Sequence, residues 1–88
     1  MFIKKQKSYA MKLNIITSSA TEEFLISWIE LNTPTGTITV QKDHAPCIVE
    51  LKKNEAIVFQ LATGKQKSIV IQHGFAHVLR EKITIIVP

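Results

Sequence analysis

One cysteine, Cys47, is all the thiol this chain has, so no internal disulfide can form and no second sulfur is at hand for a zinc site. It reads as a small buried hydrophobe. Three glycines and three prolines leave no material for a long flexible linker, and outside residues 1–10 no stretch has the hydrophobe-poor composition of disorder. No repeat recurs at a solenoid period. The longest unbroken apolar run, residues 56–59, falls far short of the roughly 18–20 residues that span a bilayer as a helix. Aromatics are few, with four Phe, one Trp and one Tyr, and Phe59, Phe75 and Trp28 fall at positions that read as packing sites. Single-stranded nucleic acid needs aromatic platforms set among basic groups, and too few are left to build them.

What is there suffices for one small domain. A chain of 88 residues, 45% apolar and 20% charged, buries roughly 60–65% of its unfolded surface, enough for one core. The formal net charge of +4 permits phosphate contacts, which keeps a stand-alone β-barrel binding module, for nucleic acid among other ligands, as the alternative to the reading below. Lys4, Lys5, Lys7 and Lys12 crowd the start of the chain. Residues 1–10 carry no apolar core of 7–15 residues and no small-residue cleavage site, so they read as a flexible basic extension rather than a secretory signal, ahead of a domain over 11–88.

Short runs rich in Ile, Val, Thr and Phe recur with turn residues between them, the pattern of an all-β fold. It predicts strands over residues 12–17, 25–31, 36–40, 47–51, 56–61, 67–72, 76–79 and 83–87, in a flattened antiparallel β-sandwich or barrel of about 8–10 short strands. Thr63-Gly64-Lys65 and Arg80-Glu81-Lys82 read as hairpin turns, with Gly64 supplying the positive φ that such a turn requires. Gly74 interrupts the strand pattern and marks a bulge or the close approach of another backbone. Alternation puts Ile57, Phe59, Leu61, Ile69, Ile71, Ile83, Ile85 and Val87 inside. Ile16, Leu25, Val58, Val70 and Ile86 fall out of phase with that set, and a contiguous apolar patch on a sheet face signals docking.

No constellation carries chemistry. His44-Ala45-Pro46 is a rigid loop in which proline restricts Ala45, and its histidine is expected to hydrogen-bond its own loop. His44 and Cys47 stand three apart, on opposite faces of an extended chain, with no third orienting group, and so form no catalytic pair. His73 and His77 are about 13 Å apart in strand geometry, beyond the reach of one metal. The seven carboxylates are scattered, and none is paired for acid/base work. No catalytic residue, metal or cofactor is expected.

The run Gly36 to Leu51, GTITVQKDHAPCIVEL, followed by His73-Gly-Phe-Ala-His-Val78 and the closing Ile83-Thr-Ile-Ile-Val87, resembles the epsilon chain of F-type ATP synthase. The likeness runs from about Met11 to Val87, begins with Lys12-Leu-Asn-Ile-Ile-Thr17, and covers the family's N-terminal β-sandwich domain. Several positions depart from the family pattern. Thr37 stands where an acidic residue faces the membrane rotor ring, Asp43 replaces the glycine before His44, and Lys53-Asn54 replaces Pro-Gly. His73 and His77 stand where Gly and Glu are common. Asn54 retains access to the left-handed conformation that its turn requires.

The resemblance implies a rotor subunit of the central stalk, docked on the gamma subunit and the c-ring to couple proton translocation to ATP synthesis without chemistry of its own. It implies a peripheral place on the cytoplasmic face of a bacterial plasma membrane, with no nucleic acid partner and no transmembrane insertion. The residues implied for the ring side are Gly36, Thr37, Asp43, His44 and Pro46, and for the gamma side Thr17 and Val49. In most relatives a regulatory helical hairpin follows the sandwich. This sequence ends at Pro88, directly after the last predicted strand, so the expectation is a subunit acting without those helices.

Overall fold

The computed structural model describes residues 10–88. Of the basic extension expected over residues 1–10, all but Ala10 lies outside the described residues. Among the described residues eight strands and no helix form: β1 (Met11–Ile16), β2 (Thr21–Thr33), β3 (Gly36–Gln41), β4 (Cys47–Leu51), β5 (Glu55–Leu61), β6 (Gln66–Ile71), β7 (Gly74–Val78) and β8 (Lys82–Ile86). All eight predicted strands are present.

The strands hydrogen-bond in the order β4-β7-β8-β1-β2-β5-β6, with β3 also paired to β2. Ile26 of β2 pairs with both β1 and β5, and Trp28 to Glu30 pair with both β3 and β5. Each of these residues needs its two partners on opposite edges, so β1 and β3 share one edge of β2 in succession and β5 takes the other. β2 thus belongs to both layers of the sandwich, β4-β7-β8-β1 continuing from its first half and β3, β5 and β6 gathering on its second.

A register shift between Ile26 and Trp28 makes this crossing possible. Before it the inward residues of β2 are Phe24 and Ile26, and after it they are Ile29, Leu31 and Thr33. One extra residue in the ladder moves the buried set from even to odd positions and bends the strand. For that reason β2 runs thirteen residues, where simple alternation supports a shorter strand.

Two further findings depart from the sequence expectation. All pairs but one are antiparallel; the exception joins the first strand to the last, β1 to β8, in parallel. Phe75, read as a packing site, points outward at 45% exposure, whereas Phe59 is fully buried and Trp28 half-buried.

The core lies between the layers and is assembled in rows of register partners. Val49, Ala76, Ile85 and Ile15 form one such row across β4, β7, β8 and β1, and Cys47, Val78, Ile83 and Leu13 form the next. Ile57 and Phe59 face them from β5. Phe59 meets the tilted ring of Phe24 at 5.1 Å, and the Lys67 ammonium sits 5.7 Å from the Phe24 ring centre, closing the layer with an amphipathic side chain. Cys47 is half-buried against this core, in keeping with its role as a hydrophobe.

The turns follow their chemistry. Gly64 has φ 104°, and the Leu61 N–H donates to the Lys65 carbonyl at 2.7 Å across the first hairpin. The Leu79 N–H donates to the Lys82 carbonyl at 2.8 Å across the second. Asn54 takes φ 60°, as its turn requires. Gly74 is needed for closeness: a Cβ there would overlap the Ile86 carbonyl on the neighbouring strand.

Candidate functional site

Strand alternation leaves one face of the β4-β7-β8-β1 sheet, extended by the start of β2, turned away from the core. Its side chains can be read row by row from the registers. The first row is Glu50, Phe75, Ile86, Ile16 and Thr21, each the partner of the next. Phe75, Ile86 and Ile16 are 45%, 46% and 37% exposed, and Ile48 extends the patch diagonally from Phe75 on β4. The second row is polar except at its β4 end: Ile48, His77, Thr84, Asn14 and Glu23. Asn14 Oδ1 is buried there without a hydrogen-bond partner. Ile16 and Ile86 were legible from their phase in the sequence, whereas Phe75 was not. Its exposure follows from the register: Ala76 and Val78 pair with the buried Ile85 and Ile83 and face the core, which turns Phe75 outward.

Beside this apolar row the two layers part around a cavity of about 370 Å³, lined among others by Ile15, Thr17, Ile69, Ile71 and Val87. Thr17, expected on the gamma side, stands at its rim and shapes the β1–β2 loop. Its hydroxyl donates to the Ala20 carbonyl at 3.1 Å and accepts from the Ala20 N–H at 3.1 Å, which holds the loop in one turn. Val49, the other residue expected on that side, is not beside Thr17. It is half-buried on β4 and lines a shallow cleft with Thr33, Pro34, Thr35 and Ile38 of the β2–β3 turn.

The five residues expected on the ring side fall into two groups. Gly36 and Thr37 open β3 at the β2–β3 turn, whereas Asp43, His44 and Pro46 sit in the β3–β4 loop at the other end of that strand. The turn is held from below by Asn32, which the sequence did not single out. Its side-chain oxygen accepts from the Thr37 hydroxyl at 2.8 Å and its side-chain amide donates to the Ala56 carbonyl at 2.7 Å. Its main-chain carbonyl accepts from Lys52 at 2.8 Å. One residue therefore ties together β2, β3, β5 and the link leaving β4. Thr33 adds a 2.7 Å bond from its hydroxyl to the Gly36 carbonyl.

The β3–β4 loop is pinned from the other side. Asp43 has φ 71°, and its N–H donates to the Arg80 carbonyl at 2.7 Å while Arg80 Nη1 donates back to the Asp43 carbonyl at 3.2 Å. A left-handed position of this kind suits glycine, with Asp among the few side chains that tolerate it. His44 Nδ1 lies 2.8 Å from the Ala45 carbonyl, so the ring carries its proton on Nδ1 and bonds its own loop. Nothing in this loop activates a nucleophile or gathers ligands, and among the described residues no group of three or more His, Cys, Asp or Glu is placed to hold a metal. What the geometry provides is a rigid block with two fixed turns and one apolar patch.

Structures of similar fold come from ATP synthases. A chain of the Euglena gracilis mitochondrial ATP synthase, in an OSCP/F1/c-ring assembly, superposes with a TM-score of 0.82 at 21% identity over 90% of this chain and 51% of that one. A chain of the Tetrahymena thermophila mitochondrial ATP synthase, in a central stalk/c-ring assembly, gives 0.74 at 19% identity over 97% of this chain and 66% of that one. The chain thus spans about half the length of the first and under two thirds of the second. No curated protein sequence matches it significantly. Residues 10–88, the whole of the described sandwich, match the family of the ATP synthase delta/epsilon chain β-sandwich domain, and the chain belongs to that family.

Proposed function

We propose that the chain is a non-catalytic rotor subunit of an F-type ATP synthase, docking on the gamma subunit and the c-ring so that proton translocation is coupled to ATP synthesis. Membership of the family leaves the stand-alone binding module without support. The observation that carries the proposal is the exposed row Phe75, Ile86 and Ile16 on the outer face of the β4-β7-β8-β1 sheet. A contiguous apolar row on a small domain is costly in water and gains free energy when a partner covers it.

The gamma subunit takes this row and the neighbouring rim at Thr17, with an interface in the standard range of roughly 1,200–2,000 Å² in total. The c-ring takes the fixed turns, with Gly36 and Thr37 on one and Asp43, His44 and Pro46 on the other, and Val49 supports the first of these from β4. The domain transmits torque as a stiff body and needs no bond-making group. Its setting is peripheral to the membrane part of the complex, on the cytoplasmic face of a bacterial plasma membrane.

The test is capture of purified gamma subunit by the chain. Wild type should retain gamma, and Ile86→Glu should abolish retention while melting within a few degrees of wild type, because position 86 is already open to solvent. Retention of gamma unchanged by Ile86→Glu, in protein shown to be folded, would count against the proposal.

A further inference from the structure

Three hydroxyls crowd the β2–β3 turn, those of Thr33, Thr35 and Thr37, and the direction of each O–H bond follows from its neighbours. Asn32 decides the one at Thr37. Its side-chain amide stands 2.7 Å from the Ala56 carbonyl on β5, and a carbonyl can only accept, so the nitrogen must face Ala56 and the oxygen must face Thr37. An amide oxygen also only accepts, and Thr37 therefore directs its one hydroxyl proton to Asn32 at 2.8 Å. The same rule fixes the other two. The Thr33 hydroxyl donates to the Gly36 carbonyl at 2.7 Å, which leaves Thr35 as the donor in the 3.3 Å contact between the Thr33 and Thr35 oxygens. The Thr35 N–H also turns inward, to the Thr33 hydroxyl at 3.3 Å, and Pro34 has no N–H.

All three hydroxyl protons of the turn are thus committed inside the fold. Thr35 and Thr37 are both exposed, and what their side chains hold out to solvent is lone pairs. The cleft beside the turn adds the Glu50 carboxylate, another acceptor, while Lys52 and Lys53 follow on the link, so hydrogen bonding rather than net charge sets the character of this turn.

We infer that the turn meets its partner as a hydrogen-bond acceptor, that Asn32 is the residue positioning the Thr37 hydroxyl for it, and that the facing surface of the ring supplies donors: guanidinium, ammonium or carboxamide groups on a protein loop. The inference deepens the assignment of Gly36 and Thr37 to the c-ring and rests on that reading. A threonine hydroxyl left free samples donor and acceptor orientations alike. Held at 2.8 Å by a half-buried amide that is itself tied to β5, it presents the same lone pairs before any contact is made.

Two measurements test this. The first, on the full 88-residue chain alone, follows the Thr37 hydroxyl proton by NMR at low temperature. It should exchange with water several-fold more slowly in wild type and in Asn32→Asp, whose carboxylate still accepts it, than in Asn32→Ala. Equal rates in wild type and Asn32→Ala would overturn the role of Asn32. The second is retention of the chain on purified, detergent-solubilised c-ring. Thr37→Val should weaken it about threefold to tenfold, the effect of one hydrogen bond, and Thr37→Ser should stay within about twofold. Thr37→Glu, which offers acceptors only, should hold or tighten retention, whereas Thr37→Lys, which offers donors only, should lower it at least about tenfold. Position 37 is exposed, so all four variants should melt within a few degrees of wild type and capture gamma as it does. Retention unchanged by Thr37→Val, or tighter for Thr37→Lys than for Thr37→Glu, would overturn the inference. Wild type that captures gamma but not the ring would remove the ring assignment and the donor-bearing partner with it, while the exchange rates report on Asn32 separately.

Discussion

The two ends of one sheet face are built by the same strands in the same registers, and four residues of strand separate Ile16, Ile86 and Phe75 from Lys12, Lys82 and Leu79. At one end the row is aliphatic and aromatic; at the other it is cationic between leucines. Because both ends share strands and register, the difference between them lies in the outward residues. Surface chemistry in this domain can therefore change without cost to the fold, and the two ends can be altered independently.

The largest effect should come from the one place where the surface row depends on the fold beneath it. Gly74→Ala forces a Cβ into the Ile86 carbonyl, so the variant should lose about 3 kcal/mol and more than about 10 °C in melting temperature by calorimetry. It should also weaken gamma capture, since the clash lies at the apolar end. Next comes the loop that locks the cationic end. Asp43→Ala should cost about 1–2 kcal/mol in urea unfolding while Asp43→Gly costs none, because φ 71° is the difficulty and glycine has none there. Raised ionic strength should leave gamma capture through the apolar row unchanged or stronger, measured as a salt series on one preparation. The smallest effect belongs to the polar row between them. Asn14→Val removes a buried oxygen that has no partner and should raise stability by about 0.5–1 kcal/mol, leaving gamma capture unchanged. A loss of gamma capture in that variant would mean that the apolar row depends on Asn14.

The sequence read well wherever the structure obeys local rules. Strand positions followed from alternation, Gly64 and Asn54 from the φ their turns need, and Ile16 and Ile86 from being out of phase with the core set. It read poorly wherever distant segments decide. The parity switch in β2 leaves no local mark, since Phe24-Leu25-Ile26-Ser27-Trp28-Ile29 is apolar on both sides of the bulge, and only pairing to β1 on one half and to β3 and β5 on the other defines it. Phe75 looked like a core aromatic because its outward direction is set by the register of β7 against β8. Asn32 drew no attention because its partners, Thr37, Ala56 and Lys52, meet it only in the folded chain. The candidate site was legible as a kind of surface. Its composition was not, since register across four strands decides which exposed residues become neighbours.

The parallel pairing of β1 with β8 has a mechanical consequence. With the first and last strands side by side in the middle of a sheet and pointing the same way, a pull on the two ends of the domain loads every hydrogen bond between them in shear at once, instead of opening them one at a time like a zipper. A block strained at its termini would then yield abruptly and at high force rather than peel from an edge.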